Sequence, residues 1–310
     1  MTPADTHKPL FKGLDVETNV PMARYTSFRV GGPADFLALP RRIETLVSLA
    51  GTARDAGMPI TFLGGGTNTL VSDKGIRGLV IVLTALKKGP ELQKPNAGED
   101  TRPIVRMSAL AGERLSTLCR TTVENGLSGL EWAAGIPGTL GGAVMMNAGA
   151  HGSDMTAVVT TVEVLNLDTM QPETLNRKDL AFGYRKLDLP GRIILAADLS
   201  LAPADPGQVK HRYAQHLKSK KDTQPVSKAS GGCFFKNPSP EQPAGRLIEQ
   251  AGLKGYTHNG AMVSDLHANF IVNTGNAACE DILALKQMVQ ARVHERFNIK
   301  LETEVKTIGD

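Results

Sequence analysis

Hydrophobic positions along the chain repeat with two periods, and the changes between them predict the elements. Between 41 and 57, Ile43, Leu46, Val47 and Ala50 share one face at helical spacing, and Gly57 followed by Pro59 supplies the stop. Residues 59–63 read as a short strand entering a glycine loop, and the unbroken apolar run Leu79 to Leu83 reads as a strand buried on both faces. A second helix is predicted at 112–124, where Leu115, Leu118, Cys119 and Val123 align and Asn125-Gly126 ends it, so Cys119 is a core residue. Strands follow at 158–167 and 192–201, a helix near 243–252, a strand at 269–273, and a helix at 280–297 with Ile282, Leu285, Val289 and Val293 in register. The last predicted strand is Leu301 to Ile308. Alternation there puts Glu302, Glu304 and Lys306 on one face and Leu301, Thr303 and Val305 on the other, the pattern of a half-exposed strand.

Two stretches show no period. The segment before 41 reads as a polar arm, and 87–103, with three prolines and two glycines among charges, reads as an exposed loop or linker. A shift toward helix and basic residues begins near Pro206. These changes divide the chain into 1–86, 87–205 and 206–310. No internal repeat is seen at periods of 20 to 50 residues.

Composition narrows the class. The chain has 310 residues, 41% of them hydrophobic, enough for a buried core in about two domains at ~150 residues each. Its apolar runs fall far short of the ~20 residues of a membrane span, and its N-terminus lacks the apolar segment of a signal peptide. Three widely spaced cysteines, Cys119, Cys233 and Cys279, fit a reduced, cytoplasmic protein. A net charge of +4 is too small for a nucleic-acid coat, yet Lys210, Arg212, Lys218, Lys220 and Lys221 crowd one stretch suited to an anion. The seven histidines show no metal-ligand spacing, so no metal cofactor is expected.

Two glycine-rich loops, 64–68 and 135–152, suit either a cradle for a nucleotide diphosphate or tight turns between strands. Neither ends in Gly-Lys-Ser/Thr, which excludes a P-loop. The first lacks the third glycine and the long helix of a dinucleotide fingerprint.

The order of motifs is more specific than any one of them. Tyr25 to Ala34 (YTSFRVGGPA), Gly64 to Asn68, Gly135-Ile136-Pro137-Gly138, Asn147 to Ala150 and Phe182 to Arg185 resemble the UDP-N-acetylenolpyruvoylglucosamine reductase family. Gly232 to Pro238, Ala244 to Glu249 and Leu301 to Lys306 extend the resemblance through the C-terminal third. What it implies is an α+β fold: a two-subdomain FAD-binding part of the vanillyl-alcohol-oxidase type, plus a C-terminal substrate domain. It also implies non-covalent FAD, NADPH as hydride donor and a UDP-sugar substrate, in peptidoglycan precursor synthesis. The short run from Arg185 to Pro190 resembles the shorter, type II form.

Site residues follow from the same resemblance. The first loop (Gly64, Gly65, Gly66, Thr67, Asn68) and the second (Gly135, Ile136, Gly138, Gly141, Gly142, Asn147, Ala148) would hold FAD. Tyr184, Lys221 or its neighbour Lys220, and Asn237 would bind substrate. Chemistry supports the catalytic set: hydride addition to an enolpyruvyl methylene leaves charge on the adjacent carbon and carboxylate, which calls for a cation and a proton donor. Arg185 suits the first need through bidentate pairing, and Glu304 matches the family's C-terminal glutamate. Cys233 stands where the family usually has serine. A thiol of ordinary pKa ~8.5 could donate a proton, and would ionise within assay pH. His267 reads as structural. A flavin oxidase acting on alcohols or small acids, and a nucleotide- or RNA-binding protein using the basic stretch, remain as competing readings.

Overall fold

The computed structural model describes residues 8–93 and 104–310. The segment expected to be a polar arm holds two strands, β1 (Glu17–Pro21) and β2 (Pro33–Ala38), paired antiparallel. The short exposed β1 hid the pattern, since its residues carry only one buried side chain, Val20. Helix α1 (Ile43–Asp55) leads to β3 (Ile60–Leu63), then β4 (Thr69–Val71) and β5 (Ile76–Val82). The sheet order is β1-β2-β5-β3, and β5 runs parallel to both β2 and β3. β5 occupies the interior, as its apolar run requires; Leu79, Val80 and Ile81 are inaccessible to solvent. Leu46, Leu49, Ala50 and Ala53 seal α1 onto this sheet.

The predicted linker at 87–103 is in part a strand, β6 (Glu91–Gln93), paired with β7 (Val105–Leu110); residues 94–103 of that prediction lie outside the described residues. Next come α2 (Leu115–Glu124), β8 (Leu127–Ser128), α3 (Leu140–Met145), and the short hairpin β9 (Gly149–Ala150) with β10 (Ser153–Asp154). Strands β11 (Val159–Asn166) and β12 (Pro172–Asn176) precede a second hairpin, β13 (Ala181–Gly183) with β14 (Lys186–Asp188), and β15 (Arg192–Pro203) closes the unit. The resulting antiparallel sheet has the order β12-β11-β15-β7-β6, with β8 joining β15. Its core includes Leu115, Leu118, Cys119, Trp132 and Val144, so Cys119 is buried as expected.

Helix α4 (Pro206–Thr223) crosses to the last third, where β16 (Ala229–Ser230), α5 (Ala244–Gln250), β17 (Thr257–His258), β18 (Ala261–Val263), β19 (Ile271–Asn273) and α6 (Cys279–Phe297) pack around the sheet β16-β19-β18-β17. Phe28, Val30 and Leu70 from the first third lie in this same core. The predicted strand at 301–308 is a strand only at its end, β20 (Lys306–Ile308), which pairs parallel with β4. Residues 301–305 form instead a single antiparallel bridge, Thr303 to Phe235: Leu301 and Val305 are buried, while Glu304 Oε1 faces Arg185 Nε rather than bulk water. The alternation holds at Leu301, Glu302, Val305 and Lys306, and long-range contacts take only Glu304 off the exposed face.

Asp73 joins the first and last thirds. Its carboxylate accepts from the main-chain N–H groups of Cys279 (2.8 Å) and Glu280 (3.0 Å), two of the donors that the first turn of α6 leaves unpaired. Asp73→Ala is expected to lower stability by about 1 kcal/mol. A denaturant midpoint unchanged from the native protein would show that this cap is dispensable.

Candidate active site

A pocket of about 460 Å³ opens where the three sheets meet. The loop between β3 and β4 forms one wall, and Gly66 there has a φ of 60°. Only glycine fits, because a side chain at 66 would overlap the Tyr25 carbonyl. A Cβ on Gly65 would lie 3.0 Å from the Cα of Gly138, so the two glycine loops approach backbone to backbone. Among the described residues, the main-chain N–H groups of Gly65, Gly66, Thr67 and Asn68 donate no hydrogen bond within the chain. Unpaired donors gathered at a pocket wall suit the oxygens of a diphosphate.

The acid, the cation and the thiol line the same pocket. Tyr184 and Arg185 are the two turn residues between β13 and β14, and Arg185 has a left-handed φ of 55°. Its Nε lies 3.4 Å from Glu304 Oε1, its Nη2 donates to the Gly149 carbonyl at 2.8 Å, and its guanidinium carbon sits 5.1 Å from the Tyr184 ring centre. Glu304 is delivered by main-chain bonds. Its N–H donates to the Phe234 carbonyl at 2.9 Å, and its carbonyl accepts from Asn68 Nδ2 at 3.0 Å, so the first glycine loop holds the acid directly.

Burial raises the Glu304 pKa above the ordinary carboxylate value, against the opposing pull of Arg185 and then Lys236. Cys233 precedes the Phe234-Phe235 pair that anchors this strip in the core. Burial and then the Glu304 charge push its thiol up to about 12, with Arg185, Lys220 and a hydrogen bond from Asn269 acting the other way. This corrects the expectation of a thiol near its ordinary value. Cys233 stays protonated throughout the neutral range, the form a proton donor needs.

Of the residues read from the sequence, Gly64 to Asn68, Ile136, Gly138, Gly142, Ala148, Tyr184, Arg185, Cys233, Asn237 and Glu304 line the pocket. Gly135, Gly141, Asn147 and Lys221 do not. Gly141 packs behind the wall, where a Cβ would lie 2.8 Å from that of Ala111, and Gly135 lies under α4. Lys221 is exposed, while Lys220, one helical step away, enters the wall and has its pKa lowered by burial. Asn237 Oδ1 is occupied by the N–H of Ala244 at the start of α5, at 3.0 Å. His267 Nδ1 accepts from the Asn269 N–H at 3.2 Å, a structural contact. The sequence reading missed Asn269, whose side chain exchanges hydrogen bonds of 2.9 and 2.8 Å with the Phe235 peptide. No local pattern marks it.

No group of three potential metal-ligating side chains occurs among the described residues, and no described helix is long and apolar enough to cross a membrane. Two family models match the chain: an FAD binding domain over residues 34–170, and the UDP-N-acetylenolpyruvoylglucosamine reductase C-terminal domain over 224–308. With the α+β fold and its glycine-lined pocket, they define an FAD-dependent oxidoreductase.

Relatives give the particular family. A UDP-N-acetylenolpyruvoylglucosamine reductase of Synechococcus sp. (strain WH7803) is 44% identical over 95% of this chain and 93% of its own, and that of Geotalea uraniireducens is 42% identical over 98% of each. The crystal structure of the reductase from Thermus caldophilus superposes with a TM-score of 0.76 at 36% identity, covering 95% of this chain and 99% of the other. The chain belongs to the UDP-N-acetylenolpyruvoylglucosamine reductase family of peptidoglycan precursor synthesis.

Proposed function

We propose that the chain catalyses NADPH-dependent reduction of UDP-N-acetylenolpyruvoylglucosamine to UDP-N-acetylmuramate. The observation that carries this reading is the gathering of Arg185, Glu304 and Cys233 with the two glycine loops in the wall of one pocket. The unpaired N–H groups of Gly65 to Asn68 would hold the FAD diphosphate, with Gly138 closing the cradle from the other side. Bound there, FAD would supply the relay that takes hydride from NADPH and passes it to the methylene carbon of the substrate.

The protein's own groups do the rest. Arg185 pairs with the substrate carboxylate as charge develops on it, and Glu304 lies on the same side to bind the enol oxygen. The Cys233 thiol gives its proton to the adjacent carbon. The thiolate left behind is stabilised by the Arg185 and Lys220 charges and by the Asn269 hydrogen bond. Lys220, in place of Lys221, and Asn237 bind the UDP diphosphate, beside Tyr184. The cofactor is assigned to 1–86 and 87–205 and the substrate to 206–310, with Phe28, Val30 and Leu70 tying the first part to the last.

The test is an anaerobic one. NADPH should bleach the flavin of the holoprotein, the enolpyruvyl substrate should restore its colour, and UDP-N-acetylmuramate should be recovered. Bleaching by simple alcohols with no response to NADPH would replace this reading with an oxidase.

The cradle makes its own prediction. Native protein should carry about one FAD per chain, and Gly65→Val should lose most of it, since the new side chain meets the Gly138 backbone. The flavin-to-protein absorbance ratio reports the outcome. Full flavin in the variant would reduce the loops to turns.

A further inference from the structure

The second glycine loop carries an asparagine whose side chain is turned away from the pocket. Asn147 is 4% exposed and has a left-handed φ of 40°. Its Nδ2 donates to the Gly183 carbonyl at 3.0 Å and to Asp154 Oδ2 at 3.2 Å, while Asp154 Oδ1 is fixed by the Thr156 N–H at 3.0 Å. Gly183 is the last residue of β13, immediately before the Tyr184-Arg185 turn. In return, Arg185 Nη2 donates to the carbonyl of Gly149, two residues beyond Asn147. Loop and turn thus clasp each other with one side chain apiece.

Asparagine suits this place for two reasons. It tolerates the left-handed backbone better than most side chains, and one nitrogen carries two donors for two acceptors. The arrangement has a cost: Oδ1 of Asn147 is buried without a partner among the described residues. Rotating the amide to satisfy it would set that oxygen against the Gly183 and Asp154 oxygens, so the two donors fix the orientation. Arg185 itself occupies a φ of 55° that an L residue holds only when its surroundings impose it.

We propose that Asn147 is a positioning residue for Arg185, holding the Tyr184-Arg185 turn through the Gly183 carbonyl. The proposal rests on Arg185 acting on the substrate, as argued above. The cofactor loop would then set the guanidinium facing the substrate, coupling the two halves of the site through one amide.

Asn147→Gly keeps the backbone accessible and removes both donors. In the holoprotein, flavin content and the rate of flavin reduction by NADPH should stay within about twofold of native. Reoxidation by the enolpyruvyl substrate should slow by about 10- to 100-fold, the scale of an ångström's misplacement. The double variant Asn147→Asp with Asp154→Asn re-pairs 147 with 154 but sets a carboxylate against the Gly183 carbonyl. It should regain the melting temperature lost in Asn147→Asp without regaining the reoxidation rate.

A crystal structure of Asn147→Gly, which needs no substrate, should show the turn displaced and the Arg185 bond to Gly149 broken. That result stands even if the reaction proposed above is wrong. An undisplaced turn, native reoxidation in Asn147→Gly, or recovery of both stability and rate in the double variant would overturn the assignment. So would loss of FAD in Asn147→Gly, which would return Asn147 to the cofactor. Should that variant not fold, the double variant decides by the same measurements.

Discussion

Replacing Cys233 with alanine is expected to leave flavin reduction by NADPH intact and to slow reoxidation by the enolpyruvyl substrate by about 10²- to 10⁴-fold, the usual range for a positioned acid. Cys233→Ser should retain substantial turnover, because a hydroxyl in the same place also carries a proton. Stopped-flow traces separate the two half-reactions, and native reoxidation in the alanine variant would show that another group delivers the proton. The pH dependence is a second reading of the same residue. Because burial and Glu304 push the thiol up to about 12, the reoxidation rate should show no alkaline loss near pH ~8.5, where an ordinary thiol ionises. Alkylation at pH ~8 should be slow for the same reason, since the thiolate is the reactive form. A limb near ~8.5 would mean that the thiol is solvated.

The second large effect concerns the ion pair across from it. Arg185→Ala should slow reoxidation by about 10²-fold or more while sparing flavin reduction, as loss of a group that acts where charge develops. Equal slowing of both steps would make its role structural. Glu304→Gln should also slow reoxidation, yet it should stabilise the fold at neutral pH. Burial raises the folded pKa of Glu304 above its unfolded value, so ionisation takes stability away as pH rises through the folded value. Glutamine never ionises. Its melting temperature should therefore exceed the native one at pH 8 and converge with it at pH 4, and a pH-independent difference would contradict the raised pKa.

What was legible in the sequence was whatever is local. Helix α6 and strand β5 are written in apolar spacing, because each buries one continuous stripe or both faces. The glycine loops, Arg185, Glu304 and Cys233 could be singled out by motif order. Other features depend on partners far along the chain. Residues 301–305 alternate as a strand would, yet Glu304 is drawn into the pocket by Phe234 and Asn68. The choice between Lys220 and Lys221 depends on which side of α4 meets the wall, a tertiary fact. Asn147 sits in a motif shared with cofactor-holding residues, and nothing in its spacing reveals that its amide reaches Gly183. Strand β1 was hidden by its brevity and exposure.

The bond from Asn68 to the Glu304 carbonyl spans 236 positions of sequence. At ~5–20 residues per second, a ribosome needs roughly 12–47 s to make the chain between them. During that interval the cradle loop can emerge and fold with its sheet, while the acid it will hold has not yet been synthesised. Each new molecule would thus pass through a stage in which flavin could enter before the reducing site exists. Chemistry would wait until Glu304 has been made and joined to Asn68.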